Sequence, residues 1–335
     1  MSVIALDVGG THIKGAVVDG GELVEGAQWS TRAERGPDAV LAAVLRCADE
    51  LVTYAVRRGS TPQAAGIVVP GLVDEARGTA VLAANLGWRD TPVRRLAAEH
   101  LGLPIAFGHD VRAGGLAEGR LGAGRGWPDF AFVPVGTGIA AALTIGGRPF
   151  AGSRGFAGEL GHLVVRPGGD RCACGNRGCL ETVASASAIA RRYAEASGRT
   201  GASAREVAAG AESGDPLARR IWTEAIEALA DGLAALTVLL DLDRVVLGGG
   251  LAQAGDPFLT PLRGALVERL AFRPAPTLVA AVLGARAGCL GAALLAQDLL
   301  DGVGTPEAAA TPTQIRPVRG EELDPAHPQG DPCPS

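Results

Sequence analysis

The sequence predicts a mixed α/β fold that is built as two related lobes. Short apolar segments typical of buried strands alternate with longer segments in which apolar residues recur at helical spacing. A strand, a turn of glycine and threonine, and a return strand occur at residues 3–18 and again at residues 130–145. The chain has 335 residues, of which 47% are hydrophobic, and is therefore long enough to form a sizeable core.

Four strands and one long helix are predicted in the first third of the chain. The strands cover residues 3–8, 13–18, 66–69 and 104–107. Gly9, Gly10 and Thr11 form the predicted bend between the first two strands, because glycine permits a tight hairpin turn. The helix is predicted to begin at Pro37, and its apolar residues keep helical spacing as far as Ala55.

The second part of the chain shows the same alternation. Strands are predicted at residues 130–135, 139–145, 245–247 and 278–283, and helices at residues 221–240 and 285–300. The strand at residue 245 runs into a turn of three glycines, after which another helix is expected. Prolines recur from residue 302 onward with little hydrophobic pattern, so residues 302–335 are predicted to be a disordered tail without a catalytic role.

Composition and charge exclude several classes of function. The formal net charge is −5, which provides no positive surface for nucleic acid, and no apolar run is long enough for a membrane span. No signal peptide is recognisable at the start, so we expect a cytoplasmic protein. Lys14 is the only lysine of the chain, and its position beside the first glycine turn suits a positive charge near phosphate.

Three cysteines and one histidine form the most specific motif of the sequence. Cys172, Cys174 and Cys179 follow His162 at short spacing, which gives the ligand set of a closed tetrahedral zinc site. The alternative is a disulfide cluster, but three neighbouring thiols cannot all pair with one another, and the other cysteines are scattered. Four protein ligands predict a structural ion, and the second ring nitrogen of His162 can still face a substrate. Glu181 follows the last cysteine closely and is well placed to hold a ligand.

Three glycine-rich turns at strand ends predict a site for a nucleoside triphosphate. The first contains Gly9, Gly10 and Thr11, the second Gly136, Thr137 and Gly138, and the third Gly249 and Gly250. Backbone N–H groups and threonine hydroxyls in such turns can surround phosphate oxygens, and Asp7 can hold Mg²⁺. The first turn is not a P-loop, because the Gly-Lys-Ser/Thr ending is missing. Each turn alone is also compatible with an ordinary hairpin.

Asp110 follows a predicted strand that ends near Phe107. Carboxylates at this position of an α/β sheet often face the ligand cleft, where a general base can deprotonate a hydroxyl group. The same residue is also suited to be the N-cap of a helix that begins at Val111. The residues alone leave both interpretations open.

Together these motifs resemble those of the ROK family, which contains bacterial sugar kinases and sugar-responsive regulators. The resemblance runs from about residue 3 to about residue 298 and rests on residues 7–11, 70–74, 85–88, 159–162 and 172–179. It implies an actin-like, hexokinase-type fold, similar to ribonuclease H, with sugar and ATP in a cleft between two lobes. Residues 1–112 would form the smaller lobe, completed by the helix near residues 285–300. Residues 113–284 would form the larger lobe, which contains the zinc motif.

The resemblance also assigns roles to individual residues. Asp110 would be the catalytic base on a hydroxyl group of a hexose, and ATP would bind with Mg²⁺. The expected sugar contacts are Gly71, Asn85, His109, Asp110, Glu159, His162 and Glu181. The expected nucleotide contacts are Asp7 and Lys14 together with Gly9, Gly10, Thr11, Gly136, Thr137, Gly138, Gly249 and Gly250.

Structural zinc and a homodimer are further implications of the resemblance. His162 would bind zinc together with Cys172, Cys174 and Cys179, and the zinc loop would support the sugar pocket. Loss of zinc, for example in Cys174→Ser, is therefore expected to weaken sugar binding and to spare nucleotide binding.

Three departures from the family pattern bear on the substrate. His109 and Arg112 stand where the pattern has asparagine, and Ala140 and Ala141 stand where glycines usually follow the second turn. Glucose, phosphorylated at its 6-hydroxyl, is the default expectation. His109 raises the alternative of a 3-amino sugar such as kanosamine, and N-acetylated hexosamines are a further option. A sugar-binding protein without catalysis is another alternative, whereas a repressor would need a helix-turn-helix ahead of Val3.

Overall fold

The structure, a computed structural model, describes residues 1–303. Its first part contains the strands β1 Ser2–Val8, β2 His12–Asp19, β3 Glu22–Ser30, β4 Pro62–Val69, β5 Leu72–Asp74, β6 Thr79–Ala83, β7 Trp88–Thr91 and β8 Ile105–His109. A five-stranded sheet has the order β3-β2-β1-β4-β8, in which β1, β4 and β8 are parallel and β2 and β3 form antiparallel pairs. The strands β5, β6 and β7 form a small antiparallel sheet. The helices of this part are α1 Pro37–Arg57, α2 Val93–Leu101 and α3 Asp110–Leu121.

The second part repeats the same plan. Its strands are β9 Phe130–Pro134, β10 Ala142–Ile145, β11 Arg148–Phe150, β12 Arg244–Gly248 and β13 Thr277–Ala280. They form a sheet of order β11-β10-β9-β12-β13, with β9, β12 and β13 parallel and β10 antiparallel to both of its neighbours. Strand order and directions match those of the first sheet, which confirms the repeat predicted from the sequence. The helices are α4 Glu181–Ala184, α5 Ala186–Ser197, α6 Ala204–Glu212, α7 Pro216–Leu240, α8 Gly249–Ala252, α9 Asp256–Arg269 and α10 Ala287–Leu300.

Side-chain alternation along β1 explains how the first sheet is covered on both faces. Ile4, Leu6 and Val8 point to one face, where they share a buried cluster with residues of α1 and α2. Val3 and Ala5 point to the other face and share a cluster with small residues of α3 and α10. The last described helix therefore contributes to the core of the first sheet.

Small residues allow α10 to lie very close to β4. A Cβ atom on Gly66 in β4 would lie 1.9 Å from the backbone oxygen of Ala292 in α10. Gly66→Ala is therefore expected to destabilise the protein by at least about 2 kcal/mol, because α10 must move away from the sheet. The measurement is the urea midpoint of unfolding.

Gly26→Ala is the matched control, because Gly26 is also in a strand. A Cβ atom on Gly26 would meet only Gly15 O, at 4.0 Å. Equal unfolding midpoints for the two alanine variants would contradict the close packing of α10 on β4.

The return strand of the second repeat begins later than predicted. It was expected at residues 139–145 but starts at Ala142. The reason is that Ala141 N donates to Gly158 O at 2.7 Å, outside the sheet. Residues 136–141 therefore remain a longer turn at the edge of the sheet.

Other boundaries also differ from the sequence prediction. The strand predicted to reach Leu283 ends at Ala280, because the N–H groups of Val282 and Leu283 donate to the side chain of Glu118. The elements β3, β5, β6, β7, β11, α2, α4, α5, α6 and α9 were not predicted.

The division into lobes and most of the predicted tail are not tested by the structure. The boundary expected at residue 112 falls in the first turn of α3, and the division into lobes stays a prediction. Most of the tail predicted from residue 302 lies outside the described residues. Within residues 1–303, no helix has both the length and the apolar character that crossing a bilayer requires.

Candidate active site

Two aspartates lie at the carboxyl edge of the first sheet. In the strand register Asp7 pairs with Val68, and Val68 pairs with Gly108. Asp110 is the first residue of α3, directly after β8, so the change from strand to helix leaves it at the same edge. The pKa of Asp7 is raised to about 6. Burial is the main cause, and repulsion from the nearby charge of Asp110 adds to it.

The carboxylate of Asp110 is reached by solvent but enclosed by protein on most sides. Its side chain is 26% exposed, and Oδ1 accepts a hydrogen bond from Val111 N at 2.7 Å. Burial raises the pKa of Asp110, whereas the bond from Val111 and the charges of Arg112 and Lys14 act in the opposite direction. A carboxylate with a raised pKa is a stronger base toward a hydroxyl proton.

His109, rather than Asp110, is the N-cap of α3. Its Nδ1 accepts a hydrogen bond from Arg112 N at 3.4 Å, which leaves the proton on Nε2. This Nε2 lies 3.4 Å from Oδ1 of Asp110. Burial and then the charge of Arg112 lower the pKa of His109 to about 3, so the ring is neutral. The N-cap interpretation of Asp110 is therefore wrong, although its Oδ1 still accepts from Val111 N in the first turn of α3.

An ion pair between the buried Arg112 and the partly buried Glu75 supports the start of α3. Arg112 is buried, and its Nε donates to Oε1 of Glu75 at 3.1 Å. The same oxygen accepts a hydrogen bond from His109 N at 3.1 Å, and Arg112 Nη1 donates to Gly155 O at 3.0 Å. The pair thus connects the start of α3 with the loops after β5 and β11. Sequence reasoning missed Glu75, and the unusual arginine at position 112 was the only signal of this network.

The first glycine turn lies beside Asp7 and is fixed by its own backbone. Gly9 N donates to His12 O at 2.9 Å, and Thr31 Oγ1 donates to Gly9 O at 2.6 Å. Lys14 Nζ lies 3.6 Å from Oδ2 of Asp7, and the lysine side chain is partly exposed. Asp7 is suited to supply an oxygen ligand for Mg²⁺, and Lys14 to contact a phosphate.

Gly71 and Asn85 lie in the segments that flank the small sheet. Gly71 has a φ of 90°, and a Cβ atom there would lie 2.3 Å from Leu82 O, so the turn before β5 requires glycine. Asn85 is exposed and lies against the first glycine turn, because a Cβ atom on Gly10 would lie 3.0 Å from Asn85 Cβ. Their contact with a sugar stays a prediction.

The second turn and the third glycine pair come together at the carboxyl ends of β9 and β12. Gly136 N donates to Gly138 O at 3.0 Å. Gly249 has a φ of 77°, and a Cβ atom there would lie 2.4 Å from Val135 O. The residues that face solvent here are Thr137, Gly249 and Gly250. This arrangement is suited to bind phosphates at the turn and a nucleoside beside the glycine pair.

His162 and the three cysteines converge in a group that could hold a metal ion, here called the metal cluster. Their ligand atoms all lie within 4.8 Å of one another. Cys172 Sγ lies 3.6 Å from His162 Nδ1, and Cys174 Sγ lies 3.6 Å from Cys179 Sγ. A tetrahedron with Zn–S bonds of about 2.3 Å has edges of roughly 3.7 Å, so the cluster is compatible with zinc. All three thiols are free, so the alternative of a disulfide cluster is not formed.

Two carboxylates and one histidine nitrogen border the metal cluster. Because Nδ1 of His162 faces the thiols, Nε2 remains for a substrate, and it lies 3.9 Å from Glu159 Oε2. Burial raises the pKa of Glu159 while His162 and Arg112 oppose the rise, and Glu181 and Asp110 add to it by repulsion. Of the predicted sugar contacts, Asp110, Glu159, His162 and Glu181 thus lie close enough for their charges to act on one another. Their individual roles stay predictions.

Comparison with known proteins identifies the class of this fold. The ROK family pattern matches residues 3–299. A glucokinase of Streptomyces coelicolor is 31% identical over 317 residues, which covers 88% of this chain and 97% of the glucokinase. The crystal structure of a ROK hexokinase from Thermus thermophilus matches with a TM-score of 0.80 and 37% identity, covering 90% of this chain and 100% of the hexokinase. A ROK family glucokinase from Streptomyces griseus, in complex with glucose and AMPPNP, matches with a TM-score of 0.75 and 32% identity over 89% of this chain and 100% of that chain.

These similarities define the molecule as an α/β protein with the actin-like fold of ROK hexokinases, as the sequence predicted. The chain belongs to the ROK family.

Proposed function

We propose that this protein transfers the γ-phosphoryl group of ATP to the 6-hydroxyl group of a hexose, with Asp110 as the general base. The broader statement, that the chain is a sugar kinase, rests on its family and on its similarity to glucokinases. The observation that carries the finer proposal is the Asp110 carboxylate, which is solvent-accessible yet enclosed and has a raised pKa. Its charge acts on both Asp7 and Glu159, so it lies near the first glycine turn and near an expected sugar contact.

In this proposal each group has one task. Asp110 accepts the proton of the 6-hydroxyl group as the oxygen attacks phosphorus, and the backbone donors of the two glycine turns stabilise charge on the phosphoryl oxygens. Asp7 would hold Mg²⁺, which neutralises phosphate charge when it is bound. Lys14 would add a further positive charge beside the phosphates. The glycine turns hold the phosphates while Glu159, His162 and Glu181 orient the sugar, so the two reactants meet in line.

Glucose is the substrate that we propose, because relatives that match over nearly their whole length include glucokinases of Streptomyces coelicolor and Streptomyces griseus. The state of His109 does not favour the 3-amino sugar. Its Nδ1 already accepts from Arg112 N, and its neutral Nε2–H is a donor. An ammonium group also has only donors, so His109 offers it no partner. The expected homodimer and cytoplasmic location stay predictions.

A coupled ADP-release assay over a panel of hexoses and aminohexoses tests the proposal. We expect turnover with glucose and a 6-phosphate product, together with slower turnover of kanosamine and N-acetylmannosamine. Preference for kanosamine would favour the amino-sugar alternative. Sugar binding without any ADP release would favour the non-catalytic alternative.

The acid side of the pH profile is a further prediction. Asp110 must be ionised to accept a proton, and burial raises its pKa. Asp7 must be ionised to hold Mg²⁺, and its pKa is about 6. Because protonation inactivates both groups, kcat/KM should fall as the pH drops through about 6 and should recover as the pH rises. Rates measured between about pH 5 and pH 8 that show no such fall would contradict the assigned roles.

A further inference from the structure

The second glycine turn is supported by residues that directly follow the metal cluster. Glu181 stands two residues after Cys179, and its Oε2 accepts a hydrogen bond from Ile139 N at 2.9 Å. The same oxygen would lie 2.5 Å from a Cβ atom on Gly138, so the carboxylate fits only against glycine. The end of the turn is therefore in direct contact with Glu181.

The residues after Glu181 support the beginning of the same turn. Ala186 N donates to Gly136 O at 2.8 Å, and Ser187 Oγ donates to Thr137 O. Residues 181–187 thus contact the turn along its whole length. A shift of this segment would change where the backbone donors of the turn point.

From these contacts we propose that Glu181 is a positioning residue for nucleotide binding, in addition to its expected contact with the sugar. Its Oε2 holds the turn, whereas Oε1 has no hydrogen-bond partner among residues 1–303 and is the oxygen left for a sugar hydroxyl group. Cys179 is part of the metal cluster, and only Leu180 separates it from Glu181 along the chain. The cluster is therefore linked to the phosphate turn through this short segment. The inference rests on the proposed function of this turn in binding ATP.

Glu159 provides an internal comparison for Glu181. Both are partly buried carboxylates beside the metal cluster, and both are expected to contact the sugar. The side chain of Glu159 lies 3.9 Å from His162 Nε2 and makes no hydrogen bond to the second turn. Sugar affinity should therefore depend on both residues, and nucleotide affinity on Glu181 alone.

Calorimetric titration with Mg²⁺ and AMPPNP, in the absence of sugar, tests this difference. Glu181→Ala should bind AMPPNP about tenfold more weakly than wild type, because the turn loses a charge-assisted hydrogen bond. Glu181→Gln should stay within about threefold, since its amide oxygen can still accept from Ile139 N. Glu159→Ala should keep wild-type affinity for AMPPNP and lose affinity for glucose. Zinc content and thermal midpoint are measured for every variant, so that loss of metal is recognised.

Wild-type AMPPNP affinity in a zinc-loaded Glu181→Ala variant would overturn the inference while leaving the proposed function intact. Failure of the wild-type protein to bind AMPPNP would overturn the proposed function and the inference with it. Should Glu181→Ala not fold, Gly138→Ala is the alternative variant. Its added Cβ atom would displace the carboxylate, so glucose affinity should fall about threefold or more although the change lies in the nucleotide turn. Unchanged glucose affinity in Gly138→Ala would also overturn the inference.

Discussion

Asp110→Asn should bind glucose and nucleotide but turn over at least about a hundredfold more slowly than the wild-type protein. The amide has nearly the shape of the carboxylate but cannot accept the proton of the attacking hydroxyl group. The amide oxygen can still accept a hydrogen bond from Val111 N, so the start of α3 should keep its conformation. Turnover is measured by coupled ADP release under saturating substrates.

Two controls show whether the loss of turnover comes from removal of the general base. Calorimetric affinities of Asp110→Asn for glucose and AMPPNP should stay close to those of the wild-type protein. Asp49→Asn removes an exposed carboxylate that pairs with His100, and it should keep the wild-type kcat. A near-normal kcat in Asp110→Asn would show that another group accepts the proton.

Cys174→Ser is expected to have the second large effect, because it removes one of the four residues that could hold a metal ion. Loss of zinc releases the loop that contains Cys172 and Cys179, and with it the positions of His162 and Glu181. We expect zinc content to fall to near zero and glucose affinity to fall by about tenfold or more. Zinc is measured by atomic absorption and glucose binding by calorimetry.

The affinity of Cys174→Ser for nucleotide distinguishes the prediction made from the sequence from the prediction made from the structure. The sequence alone predicted that loss of zinc would spare the nucleotide, whereas the contact between Glu181 and Ile139 leads us to expect weaker AMPPNP binding as well. Cys47→Ser is the matched control, since Cys47 is a buried residue of α1 and lies outside the cluster. It should keep zinc and glucose affinity, and normal glucose affinity in a zinc-free Cys174→Ser would contradict the support of the sugar pocket.

The elements that the sequence predicted well are those whose composition reflects burial directly. The strands β1, β4, β9 and β12 lie inside their sheets, and their nearly continuous apolar runs end at glycines or other turn residues. By contrast, β3 is an edge strand without a buried residue, so little in its composition separates it from a loop. The short strands of the small sheet are equally difficult, because only their pairing with one another defines them.

Some features of the candidate site were predictable from the sequence, and others were not. The convergence of His162 with the three cysteines was predictable, because a zinc site would demand cysteine and histidine at short spacing and no packing role explains that set. The partners of Arg112 and Glu181 were not predictable, since Glu75 and Ile139 are 37 and 42 residues away from them along the chain. A buried arginine is uncommon, and only the fold shows which carboxylate compensates its charge.

The position of α10 has a consequence for synthesis of the chain. The face of β1 and β4 that carries Val3, Ala5 and Ala64 is covered by Ala292 and Ala296, which leave the ribosome more than two hundred residues later. Until then this apolar face is covered only in part, by Ala113 of α3, and the amino-terminal sheet cannot mature as an independent unit. Nascent chains that end before residue 287 should therefore depend on chaperones, whereas the full chain can close its own sheet.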